Sequence, residues 1–106
     1  MIVTVFRARL RPGVESEYLP LVARMEEIAT RISGYVAHKR FTADDGERLT
    51  LVEFETWEAQ EAWRTHAEHV AAQRRGRADF YSEYSISVGE VVRASRFPAM
   101  QSVREP

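Results

Sequence analysis

The chain has 106 residues, 44% hydrophobic and 29% charged, with a formal net charge of −1. This is one domain's worth of ordinary globular composition, and it argues against a general nucleic-acid or anionic-membrane surface. Without a cysteine, it can form no disulfide, thiolate metal site or cysteine nucleophile.

Met1 leads directly into a strand-like run, with no charged leader and no apolar span of about 20 residues. The expectation is a cytoplasmic protein without a membrane segment. Residues 2–11 alternate: Ile2, Thr4, Phe6, Ala8 and Leu10 share one face, and Val3, Val5, Arg7, Arg9 and Arg11 share the other. Pro12-Gly13 ends this strand in a turn. Over residues 15–32 the period changes. Tyr18, Leu21, Val22, Met25, Ile28, Ala29 and Ile32 recur at helical spacing. Ser16 is a candidate cap, and Pro20 predicts a late start or a bend. Ser33-Gly34 stops the helix.

Tyr35 to Thr42 reads as a second strand. Asp44-Asp45-Gly46 is a hairpin signal, and Arg48 to Glu55 is the returning strand. Thr50, Val52 and Phe54 face one way; Leu49, Leu51, Glu53 and Glu55 face the other. Thr56 caps a helix beginning at Trp57. Trp63, His66, Val70 and Gln73 fall near one stripe of it, with a break expected near Ala67. Arg74, Arg75 and Arg77 surround Gly76; the run could be a phosphate patch, but in a chain that is not basic it reads better as a helix end with arginines at the negative pole of the dipole. Tyr81 to Arg93 is the last strand, with Tyr84, Ile86 and Val88 on one face. Residues 1–93 therefore form the domain. Residues 94–106 form a tail, either a frayed end or an arm that packs on a partner subunit.

The order is β-α-β-β-α-β, a ferredoxin-like α+β fold with a four-stranded antiparallel sheet and helices on one face. Phe6, Phe54, Tyr84 and Ile86 should face the helices. The opposite face mixes Val3, Val5, Leu49 and Leu51 with Arg7, Arg9, Glu53 and Glu55. Sheet-to-sheet pairing into a homodimer would cover it, with the glutamates as partners for Arg7, Arg9 or Arg40.

The strand IVTVFRARLRPG, the strand SGYVAHKRFT, the hairpin DDGERLTLVEFETWEA, the helix AWRTHAEHVAAQ and the strand FYSEYSISVGEVV together resemble the antibiotic biosynthesis monooxygenase domain family, with its dimeric α+β barrel. The resemblance spans about residues 2–93. It implies a small, usually dimeric protein with a pocket between helices and sheet. Some members oxidise polycyclic phenols or hydroquinones with molecular oxygen, without flavin, haem or metal; others bind and degrade haem. The family's second-helix tryptophan matches Trp63. Where aromatic-oxidising members have a substrate-holding Asn and Tyr, this chain has Ala59 and His69. The Asn and His that flank haem in other members fall at Phe6 and Gln73, which disfavours haem breakdown.

The expected function is a cofactor-independent monooxygenase acting on an aromatic phenol or hydroquinone. The alternative is a non-catalytic module that binds a small molecule or haem. Trp63 could stack on a planar substrate or simply fill the core. His66 or His69 could take a phenolic proton, or both could be surface residues of a solvated helix. Phe6, Phe54 and Ile86 would be apolar walls, with Tyr81 and Tyr84 placing hydroxyls at the edge. No metal site is expected, because the histidines and nearby carboxylates lack ligand spacing.

Overall fold

The structure is a computed structural model and describes residues 1–98. Strand β1 (Ile2–Leu10) is followed by helix α1 (Glu15–Thr30), the hairpin of β2 (Tyr35–Thr42) and β3 (Arg48–Phe54), and helices α2 (Trp57–Arg64) and α3 (Ala67–Arg75). A π-helical turn over Gly76–Phe80 leads into β4 (Tyr81–Glu90). The sheet order is β2-β3-β1-β4, and every pairing is antiparallel. This is the ferredoxin-like arrangement.

The alternation in β1 explains which face the helices cover. Ile2, Thr4 and Ala8 are buried. In register, Thr4 meets Val52 and Val88, and Phe6 meets Thr50 and Ile86. Under the helices, Ile28 and Ala29 of α1, Val52 and Phe54 of β3, and Ala59 and Trp63 of α2 form one buried cluster. Phe54 is fully buried. Burial of such side chains, at about 1.5–3 kcal/mol each, is the main force seating the helices.

The helices follow expectation only in part. Helix α1 starts at Glu15 behind Val14, with no side-chain cap, so Ser16 is not the cap. It also runs through Pro20. The missing N–H deprives only the carbonyl of Ser16, whose residue is exposed, and water can satisfy it there. Thr56 Oγ1 does cap α2, accepting from Ala59 N at 3.1 Å. The expected break comes at Thr65-His66, and His66 starts the next helix by accepting from Glu68 N through Nδ1 at 3.2 Å.

Gly76 is not a left-handed stop. Its φ is −57°, and the chain continues into the π-helical turn. A Cβ at this position would lie 2.3 Å from the Tyr81 ring. Glycine is required here for close approach, not for backbone freedom.

Strand β4 ends at Glu90 instead of Arg93, although Val91 N still donates to Met1 O at 2.9 Å. Residues 91–98 are exposed and have no regular structure. The arm envisaged for residues 94–106 lies mostly outside the described residues. On the open face of the sheet, Val3, Val5, Leu49 and Leu51 are half-buried. Arg7 pairs with Glu47, and Arg9 with Asp45, at 3.0 and 2.7 Å. Arg40 pairs with Glu26 of α1. Among the described residues these arginines thus use acids of the hairpin, of α1 and, for Arg9 at 4.0 Å, Glu83 of β4, and not Glu53 or Glu55. The register sets this choice: Ala8 lies opposite Arg48, so Arg7 and Arg9 flank the hairpin end.

Candidate functional site

A cavity of about 440 Å³ lies between the sheet and the helices. Its floor comes from the sheet: Thr4 and Phe6 of β1, His38 of β2, Thr50 and Val52 of β3, and Tyr84, Ile86 and Val88 of β4. Helix α1 contributes Tyr18, Leu21, Val22, Met25, Glu26 and Ala29; α2 contributes Gln60, Trp63 and Arg64. His69, Val70, Ala72 and Gln73 come from α3, and Tyr81 closes the rim. A mostly apolar cleft with a few converging polar groups is the usual form of a small-molecule site.

Trp63 anchors one wall. Its residue is 9% exposed, and its indole Nε1 is buried without a hydrogen-bond acceptor among the described residues. The indole packs on Phe54 at 5.7 Å between ring centroids. The His69 ring lies against it at 4.2 Å with a 39° tilt. That contact covers indole surface that a stacking ligand would need. Thr4 Oγ1 is likewise buried and unpartnered. Gln60 is 5% exposed and lines the cavity. Buried polar groups are rarely left unpaired in a folded protein. Three such atoms, Thr4 Oγ1, Trp63 Nε1 and Glu26 Oε2, belong to residues that line this cavity.

His69 is the titratable member of this wall. Burial holds its pKa below the ordinary 6.5, with the Arg64 carbonyl opposing and His66 assisting. Its Nδ1 lies 3.4 Å from Arg64 O, a long contact. A proton on Nδ1 directed at this carbonyl leaves Nε2 as the basic atom. The imidazole is therefore neutral at pH 7 and able to accept a proton. An ion pair helps keep α3 in place: Arg24 of α1 grips Glu68 through two bonds of 2.9 and 2.8 Å.

The other sequence candidates separate. Phe6, Tyr81, Tyr84 and Ile86 line the cavity with Trp63 and His69. Phe54 does not; it lies under Trp63 in the core. His66 is also outside the lining, because the helix breaks there and its Nδ1 is spent on the α3 cap. Tyr81 donates to Tyr18 Oη at 3.2 Å, and burial pushes its pKa far upward. It is a fixed neutral donor, not a base. Tyr84 Oη accepts from Arg77 at 3.1 Å. Thr4, Gln60, Glu26 and His38 were not singled out from sequence as site residues. Gln60 had a readable signal, since it lies three residues before Trp63 and hence on the same helix face. Ala59 is buried against Gly34 and does not reach the cavity. Among the described residues no three His, Asp or Glu side chains gather as a metal site.

A profile of the antibiotic biosynthesis monooxygenase family matches residues 1–75. The chain belongs to the antibiotic biosynthesis monooxygenase family. It is 29% identical over 83 residues to the uncharacterised protein YqjZ of Bacillus subtilis, covering 78% of this chain and 73% of that protein. It is 26% identical over 98 residues to the jasmonate monooxygenase ABM of Pyricularia oryzae, covering 91% of this chain and 46% of that protein. The chain thus spans less than half the length of the Pyricularia enzyme. The fold is similar to that of SnoaB, a cofactor-independent oxygenase from Streptomyces nogalater. The TM-score is 0.74 and the identity 16%, with 92% of this chain and 97% of that chain covered.

Proposed function

We propose that this antibiotic biosynthesis monooxygenase family member is a cofactor-independent monooxygenase that oxidises an aromatic phenol or hydroquinone with molecular oxygen. The observation that carries this reading is the placement of a neutral, half-buried imidazole against the ring of a tryptophan whose indole N–H is unpartnered, on one wall of an apolar cavity. His69 Nε2 removes the phenolic proton, which raises electron density on the ring. Trp63 Nε1 and the Gln60 carboxamide hydrogen-bond oxygen atoms of the substrate and hold it in place. Gln60 supplies the amide that the family resemblance places at position 59. Phe6, Val52, Ile86 and Val88 exclude water from the reacting carbon.

The overall change is balanced without a reductant. A ring C–H and a phenolic O–H become a quinone, one oxygen atom enters the ring as a carbonyl, and the other leaves as water. All four electrons come from the substrate. His66 has no part in this scheme, and Phe54 acts only by supporting Trp63.

A Trp63→Phe variant keeps an aromatic ring on Phe54 and removes the N–H. Oxygen uptake with a naphthol or anthrone substrate should fall about tenfold or more, the loss expected for one hydrogen bond to a developing anion. Turnover equal to the parent's would reject this role.

The reading includes a homodimer joined through the open face of the sheet. The half-buried Val3, Val5, Leu49 and Leu51 support it. Sedimentation at micromolar concentration should give twice the chain mass; a monomer would contradict it.

A further inference from the structure

We infer that Glu26 and His38 form a second polar pole of the cavity, built to receive a hydroxyl group of the ligand. This rests on the aromatic-ligand reading above and extends it to the α1–β2 side, away from the elements that carry Trp63, Gln60 and His69.

Both residues line the cavity, with side chains 16% and 24% exposed. Glu26 stands among Leu21, Val22 and Met25 of α1, where a lone carboxylate would be costly. Arg40 compensates its charge, with Nε 2.8 Å from Oε2. The approach does not have hydrogen-bond alignment, and Oε2 is buried without an aligned donor. On the other oxygen, His38 Nε2 stands 3.7 Å from Oε1, too far for a hydrogen bond. The carboxylate is therefore neutralised in charge while its hydrogen-bonding capacity stays open.

His38 is held from behind. The Tyr35 hydroxyl lies 2.5 Å from Nδ1. A Tyr35 hydroxyl that donates to Nδ1 leaves the ring proton on Nε2. The pole then offers an N–H donor and a carboxylate acceptor 3.7 Å apart. A hydroxyl oxygen can occupy the apex between them, accepting from His38 and donating to Glu26. An ammonium could satisfy only the carboxylate and would face both the His38 N–H and the Arg40 charge. A ketone or ether could satisfy only the imidazole. The geometry selects a neutral hydroxyl on the part of the ligand that reaches the α1–β2 side of the cavity.

The test is calorimetric titration under nitrogen, where no oxidation occurs. Dihydroxynaphthalenes with hydroxyls on separate rings are compared with the two naphthols. At least one diol should bind the parent about tenfold more tightly than either naphthol, the gain expected for a hydrogen bond to a charged acceptor. Glu26→Gln should reduce that ratio severalfold, and His38→Phe should as well. Equal affinity for diols and naphthols in the parent would overturn the inference while leaving the aromatic-ligand reading in place. A preference retained in both variants would also overturn it. Binding of neither compound class would remove both readings together. The comparison within the parent does not depend on how well the variants fold.

Discussion

At the scale of the residue, His69 decides whether the cavity can run base chemistry. Its burial lowers the imidazole pKa below 6.5, so the neutral form dominates from mildly acidic pH upward. The rate should fall on acidification, with a midpoint below 6.5. His69→Gln should lose roughly a hundredfold or more in kcat/KM at pH 7, and its remaining activity should lack that acid limb. A rate profile in which both proteins share the same limb would remove His69 as the base. The linkage to folding has the same direction. The unfolded chain binds this proton more readily than the folded one, so the stabilising contribution is complete above about 6.5 and is lost as pH falls through the depressed value. Sequence made Trp63 and His69 readable because a tryptophan and nearby histidines on a helix signal a wall. It did not separate His66 from His69. That distinction depends on where the helix breaks, and the break turns His66 into a cap. Nor did it yield Thr4, Glu26 or His38, which lie on three different elements and line one cavity only once the chain is folded.

At the scale of the element, the segment after α2 is the least regular part of the fold and the one that shapes the site. Two short helices and a π-helical turn replace one long helix. The bend at Thr65-His66 lets the His69 ring reach back to Trp63. The turn at Gly76–Phe80 passes close to Tyr81, whose ring closes the rim. Gly76→Ala would drive a methyl into that ring. The expected cost is about 1–3 kcal/mol, as for other overpacked sites, read as a lower midpoint in urea unfolding. An unchanged midpoint would show that the ring moves aside freely. A glycine before a strand, among arginines, reads naturally as a helix stop. Only the approach of the Tyr81 ring, a contact invisible in the one-dimensional pattern, gives it its actual role. The strands were more legible, because period-two alternation in β1 and β3 records directly which face is covered. The far end of β4 was read too long, since Val91 and Val92 continue the apolar run beyond the last paired residue.

At the scale of the whole molecule, a sheet with helices on one face leaves the other face to be covered. The chain meets this with internal Arg–acid pairs at the hairpin end and half-buried aliphatic residues nearer the centre. Exposed pairs of that kind contribute little each, so the proposed homodimer would take its stability from the aliphatic patch. Leu51→Glu should weaken it without touching the cavity, because Leu51 lies on the opposite face from Val52. The cavity itself combines an apolar volume with unpartnered polar groups around it, the arrangement expected when the ligand completes the hydrogen bonding. The most direct measurement is incorporation of oxygen-18 from labelled dioxygen, with naphthols and anthrones as substrates, chelator present and no cofactor added. The account predicts one labelled atom per product molecule, at a rate above the no-enzyme control and reduced in Trp63→Phe. Binding of these compounds without any incorporation above that control would contradict it and leave the protein a small-molecule-binding module.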